Sequence, residues 1–118
     1  MRLLTMAASI TVSAPLVLAI GEVLRYNMCS CSIDPLTCAD QGHGTYQIPN
    51  GDEGGCYSLS GGGGANTAYV LNTAECTLYS ESGCTGNQIQ YVGDNSGATY
   101  VCHEIPFGVA LSAQCTRL

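Results

Sequence analysis

The chain has 118 residues, nine of them acidic and three Arg, with no Lys and a formal net charge of −6. Such a surface repels phosphate backbones and anionic headgroups alike, which argues against a nucleic-acid or a membrane partner. Eight Cys against no Trp and one Phe describe a modest core that relies on covalent ties more than on large aromatic packing.

Residues 1–19 carry the three parts of a secretion signal. Arg2 gives a positive start, Leu3 to Leu18 is apolar apart from Thr5, Ser9, Thr11 and Ser13, and Val17-Leu18-Ala19 supplies side chains suited to cleavage after Ala19. Cleavage after Gly21 is the alternative. The apolar stretch is shorter than the ~20 residues of a spanning helix, so a removed leader is expected rather than an anchor. A single domain, 20–118, would then remain with two Arg against nine acids, a formal charge of −7. The expected location is extracellular. No Asn-x-Ser/Thr sequon is present, since Asn66, Asn72 and Asn95 are each followed by the hydroxyl residue one position too early.

Along the remainder, Asp34-Pro35 resembles a cap followed by Pro at the first helical position, which allows a short helix over 35–40. Short strands are predicted over Gly44–Ile48, Cys56–Leu59 and Thr67–Leu71. Ser60-Gly61-Gly62-Gly63-Gly64 has neither the Lys nor the following helix of a phosphate cradle and reads as a flexible connection. Two-residue periodicity then marks four further strands. Cys76 and Leu78 share a face of Cys76–Ser80, and Ile89 and Tyr91 share one of Asn87–Val92. Ala98, Tyr100 and Cys102 line one side of Ala98–His103, and Val109, Leu111, Ala113 and Cys115 one side of the last strand. Pro49-Asn50-Gly51-Asp52, Ser82-Gly83, Gly93-Asp94-Asn95-Ser96-Gly97 and Pro106-Phe107-Gly108 carry turn chemistry. About seven strands with frequent turns predict an all-β sandwich or small barrel.

The cysteines are Cys29, Cys31, Cys38, Cys56, Cys76, Cys84, Cys102 and Cys115. In an exported chain an even set reads as a disulfide framework, and roughly a hundred pairings are open to it. Cys29 and Cys31 are too close to pair with each other, so each is expected to staple the N-terminal segment to a different place. The spacing lacks the paired ligands of a zinc site. It also lacks the adjacent doublets of hydrophobins and the tight clustering of hevein-like chitin binders.

Few residues point to chemistry. His43 lies in a Gly-rich loop and His103 in a predicted strand; either has the residue type of an acid or base, but no nucleophile context accompanies them. His103-Glu104-Ile105-Pro106-Phe107 resembles the segment that carries the base in small secreted fungal guanyl ribonucleases, with Glu104 as that base. Those enzymes also use a downstream Arg and His, and only Arg117 follows here. Asp52-Glu53 reads as a solvated turn tip rather than a calcium site. No catalytic, metal or cofactor residue is therefore assigned.

Cys76-Thr77-Leu78-Tyr79-Ser80-Glu81-Ser82-Gly83-Cys84-Thr85-Gly86 resembles a segment recurrent in small cysteine-rich proteins secreted by filamentous fungi, and Ile105-Pro106-Phe107-Gly108 followed by a strand ending in Cys115 is similar to theirs as well. Some of those proteins, plant-pathogen effector candidates among them, have a β/γ-crystallin-like Greek-key fold. Tyr79-x4-Cys84-x-Gly86 resembles the crystallin Tyr-x4-Phe/Tyr-x-Gly signature, with Cys84 in the aromatic place. The resemblance implies a disulfide-stapled Greek-key sandwich, Tyr79 packed over a hairpin folded at Gly86. Asp94-Asn95-Ser96-Gly97-Ala98-Thr99 begins like the crystallin calcium motif, but Ala98 stands where a hydroxyl ligand belongs, so no calcium site is expected. The alternative fold, an α+β killer-toxin-like sandwich, requires two amphipathic helices. The function implied is that of an effector-like interaction protein acting outside the producing cell or in the apoplast on a host protein or wall component. Alternatives are an antimicrobial or killer-type toxin and a small secreted hydrolase. Exposed loops such as Gly61–Gly64 or Gly51–Gly55 are the expected carriers of function.

Overall fold

A computed structural model describes residues 23–48 and 54–118; the expected leader and the Asp52-Glu53 turn lie outside them. The described residues form eight strands: β1 (Leu24–Asn27), β2 (Tyr46–Gln47), β3 (Cys56–Ser58), β4 (Thr67–Leu71), β5 (Ala74–Glu81), β6 (Thr85–Val92), β7 (Tyr100–Glu104) and β8 (Ser112–Arg117). One short helix, α1 (Pro35–Asp40), starts at the Asp34 cap, whose carboxylate accepts from the Thr37 backbone N–H at 2.8 Å. With only this six-residue helix and a 3₁₀ turn among the described residues, the two amphipathic helices of the α+β alternative are not there.

The strands form two antiparallel four-stranded sheets, ordered β2-β1-β4-β7 and β3-β8-β5-β6. In each half of the chain the fourth strand returns to lie beside the first, which is the Greek-key connection. The third strand of each half crosses to the opposite sheet: β3 pairs with β8 and β7 with β4. The expected Greek-key sandwich is therefore what the chain forms.

The layer between the sheets is built from small and medium side chains. Leu24, Ala68 and Val70 come from one sheet, and Ala74, Leu78 and Ala113 from the other, all buried. Tyr26 is buried with them and stacks on Tyr46 at 5.8 Å between ring centroids. Burial, then the neighbouring Tyr57 and Tyr46, push its hydroxyl pKa up to about 12.

All eight cysteines are paired: Cys29–Cys38, Cys31–Cys102, Cys56–Cys84 and Cys76–Cys115. Cys76–Cys115 joins directly opposed residues of β5 and β8 inside the core, with both sulfurs' residues essentially inaccessible. Cys31–Cys102 has the longest reach, 71 residues, and ties the segment after β1 to β7.

Several strand bounds differ from the sequence reading: Gly44–Ile48 shrinks to Tyr46–Gln47, Ala98–His103 becomes Tyr100–Glu104, and Cys76–Ser80 and Asn87–Val92 lengthen to Ala74–Glu81 and Thr85–Val92. β1 was not expected; its four residues are too few for a period to stand out, yet it sits at the centre of its sheet between β2 and β4. The last strand begins at Ser112, three residues late. Ala110, not Val109 or Leu111, is the fully buried residue there, because it forms an isolated bridge with Ala65 before the chain enters β8. The glycine run is an ordered feature: Gly61–Gly63 is a 3₁₀ turn, and Gly64 (φ +105°) lies so close to Val109 and the Ala110 carbonyl that an added Cβ would sit 2.7 and 2.8 Å from them.

On the chain-entropy account, the 71-residue Cys31–Cys102 closure contributes about 4 kcal/mol and the nine-residue Cys29–Cys38 closure about 3 kcal/mol. Urea unfolding of the double Ser variants should reproduce that order, with Cys31→Ser/Cys102→Ser the less stable. Equal losses would contradict a closure mechanism. Thiol titration of the intact protein should find no reactive sulfhydryl.

Candidate functional site

The β5–β6 hairpin shows how the Tyr79–Gly86 segment folds. Cys84 adopts φ +58° in the turn and Gly86 φ +87°. A side chain at Gly86 would place its Cβ 2.5 Å from the Ser80 hydroxyl, which itself accepts from the Asn87 backbone N–H at 2.8 Å. The buried Ser112 hydroxyl accepts from the Cys84 N–H at 2.8 Å and donates to the Glu81 carbonyl at 2.5 Å. The Cys56–Cys84 bond then fastens the turn to β3. A residue that must be left-handed, in a turn that must stay folded, is thus held by one hydroxyl and one crosslink. This corner is a structural fixture rather than a reactive site.

A long exposed surface is the insertion between β1 and β2, where residues 34–37 and 39–45 are all exposed. Two crosslinks start in it: Cys29 reaches Cys38 inside α1, and Cys31 reaches β7. Its root is tied by polar contacts that would be costly to bury unpaired. The buried Asn27 side-chain oxygen, Oδ1, accepts from the Thr67 hydroxyl at 2.7 Å and from the Cys29 N–H at 3.1 Å. Asn66 donates to the Met28 carbonyl at 3.0 Å. Beyond that root only Cys38 is buried before Ile48, and Leu36, on the first turn of α1, is 80% exposed. Asp34 and Asp40 flank it, and no Lys or Arg occurs between Arg25 and Arg117. Hydrogen bonds from Thr37 hold the Asp34 carboxyl below the usual range.

A groove of about 260 Å³ opens at the foot of this insertion, lined by Met28, Cys29, Ser30, Asn66, Glu104 and Ile105 with Gly108. Glu104 is exposed there at the end of β7. His103, its neighbour, points the other way into the sandwich and stacks on Tyr91 of β6 at 3.9 Å, the two ring planes nearly parallel. The Tyr91 hydroxyl continues past it to donate to the Glu104 carbonyl at 3.1 Å. Burial lowers the His103 pKa and raises that of Tyr91. His43 is exposed in the loop after α1. No hydrogen bond or ion pair joins the side chains of His43, His103 and Glu104, so the residues singled out for acid–base chemistry do not assemble into a dyad.

Asp94 accepts from the Ser96 backbone and hydroxyl at 3.0 and 2.6 Å, an Asx turn whose hydrogen bonds lower its pKa. Among the described residues no group of three or more His, Cys, Asp or Glu side chains is placed to hold a metal ion. Nor is any helix among them long and apolar enough to cross a membrane. The insertion was missed in the sequence because its residues are polar and aperiodic; Leu36 between two aspartates was the available signal.

The fold and these sites define a disulfide-stapled, cysteine-rich Greek-key sandwich bearing an anchored loop. Four disulfides in so small a domain are consistent with an extracellular setting. No protein-family model matches the chain, and no curated protein or solved structure gives a significant match.

Two outcomes are expected. Gly86→Ala should destabilise the protein by about 1–3 kcal/mol in urea titrations, from left-handed strain and the Ser80 contact. Because burial lowers the His103 pKa, the unfolded chain takes up its proton first as pH falls. Stability should therefore decline as pH drops through the ordinary histidine value of 6.5. His103→Phe, which keeps a ring on Tyr91, should flatten that part of the profile. The losses from Asp34 and Asp94, whose pKa values are lowered, fall in a separate window, as pH drops through and below the ordinary value of 3.8.

Proposed function

We propose that the chain is a secreted, effector-like interaction protein of the fungal cysteine-rich kind, working outside the producing cell by docking its β1–β2 insertion on a host protein or wall component. The observation that carries this reading is the pair of crosslinks, Cys29–Cys38 and Cys31–Cys102, that fix an otherwise exposed and uncharged-to-acidic loop to a rigid sandwich. Ordering a loop before binding removes the entropy cost that binding would otherwise incur. Leu36 supplies an apolar anchor and Asp34 and Asp40 a negative rim, which suits a partner pocket edged by Lys or Arg.

The export-type N-terminus, the full pairing of the cysteines and the resemblance of residues 76–115 to fungal secretions support the same reading. A membrane-active toxin would favour a cationic face, and the −7 charge of residues 20–118 lies on the other side. A hydrolase would require the histidines and Glu104 to act together, and no hydrogen bond or ion pair joining their side chains supports that.

The test is capture from host extracellular fluid with natively oxidised protein. A specific protein or wall fraction should be retained by the unaltered chain and lost with Leu36→Asp, whose site is too exposed to disturb the fold. Retention that is indifferent to Leu36 and Asp34→Lys would sink the assignment to this loop. Growth inhibition of neighbouring microbes, or RNA cleavage abolished by Glu104→Gln, would replace the whole reading.

A further inference from the structure

A sheet edge exposes unpaired backbone groups, and proteins usually blunt it with shortness, Pro, Lys, or cover from elsewhere. Three of the four edges here are blunted. β2 has two residues and β3 has three. On β7 the Tyr91 hydroxyl occupies the Glu104 carbonyl, and the crosslink to Cys31 stands at Cys102. The fourth edge is β6, eight residues long, Thr85-Gly86-Asn87-Gln88-Ile89-Gln90-Tyr91-Val92. It contains no Pro, no Lys and no charge of either sign.

The register says which of its groups are free. Gly93 N–H donates to the Ala74 carbonyl at 2.9 Å, so within the β5–β6 ladder Tyr91 and Ile89 turn their backbone groups toward β5. Gln88, Gln90 and Val92 therefore direct theirs outward. Val92 is 60% exposed and the two glutamines are exposed beside it. A chain with nine acids and no Lys repels its own kind over most of its surface, and β6 is a neutral strip along which a like-charged molecule can approach.

We infer that β6 is a self-pairing edge, occupied by β6 of a second copy running antiparallel about a two-fold axis normal to the sheet. Such an axis keeps inner and outer faces matched, so residues of like parity must oppose. Centred on Ile89, it sets Gln88 of each copy opposite Gln90 of the other, and both form hydrogen-bonded backbone pairs at the free edge. Their amides lie on the same outer face and match in both directions through the Gln90 oxygen and the N–H that Gln90 does not give to the Glu75 carboxylate at 3.3 Å. The interface is isologous and closes at two copies, giving one continuous eight-stranded sheet. It leaves the β1–β2 insertion outside the contact strand and so stands independently of the proposed function.

Sedimentation velocity of the oxidised protein, from micromolar to millimolar concentration, tests this. A dimer that grows with concentration and strengthens with added salt is expected, because salt screens the acid–acid repulsion. Gln90→Pro removes an outward N–H that the monomer does not use, and Gln88→Lys, opposed by Gln90 of the other copy, breaks the amide match and sets the two new charges diagonally across the axis on one face. Each should weaken dimerisation about tenfold or more, while Gln41→Lys in the exposed turn after α1 should leave it unchanged. Circular dichroism of each variant shows that the fold is retained; where Gln90→Pro perturbs it, Gln88→Lys and Gln90→Lys decide. A monomer throughout the range, a dimer indifferent to the β6 variants, or one that dissolves with salt would overturn the proposal.

Discussion

Covalent closure is the constraint on which this structure rests. The interior lacks Trp, its one Phe is only half-buried, and its central layer is made of Ala, Val and Leu. Burial of such side chains stabilises each by only about 1.5–3 kcal/mol even for the larger ones. Crosslinks raise stability from the other direction, by narrowing what the unfolded chain can visit. Their placement follows that logic. Cys76–Cys115 sits within the core where an aliphatic pair would otherwise pack, Cys56–Cys84 fastens the strained hairpin, and the remaining two hold the segment that has least core of its own.

The outer face of the β1/β4 sheet shows how the crosslinks and the polar network cooperate. Asn27 and Thr67 lie on that face yet are almost inaccessible, because the chain beyond β1 folds back over them. A buried Asn beside a buried Thr would be destabilising without partners; each satisfies the other, and Asn27 also accepts the Cys29 N–H. Cys31–Cys102 then pins the cover in place, and nearby the Arg25 guanidinium lies 4.5 Å over the Tyr100 ring. The loop proposed to bind partners is thus displayed on top of a packed polar layer, with its tip exposed and its root immobilised.

Much of the sheet content was legible in the sequence. The Thr67–Leu71 strand and the Pro35–Asp40 helix have the expected bounds, the first from its apolar run and the second from the Asp-Pro cap. Cys76 and Leu78 do share the core face, as two-residue periodicity required. What escaped reading depends on tertiary contact. β1 is legible only through its partners on both sides. Gly64 looked like one more unit of a flexible run, whereas its lack of a side chain is demanded by Val109 and Ala110, more than forty residues away. His103 looked like a candidate base, but its ring is spent on stacking with Tyr91, and that pairing joins strands of opposite sheets that no local pattern relates.

The exchange of third strands between the sheets has a consequence for how this molecule comes apart and is assembled. β3 completes a sheet otherwise drawn from the second half, and β7 completes one otherwise drawn from the first. Neither half owns a finished layer, so a chain emerging stepwise during synthesis has no complete sheet until β7 is out and no complete sandwich until its last strand follows. The two crosslinks that join the halves, Cys31–Cys102 and Cys56–Cys84, can therefore be sealed only after both have clasped.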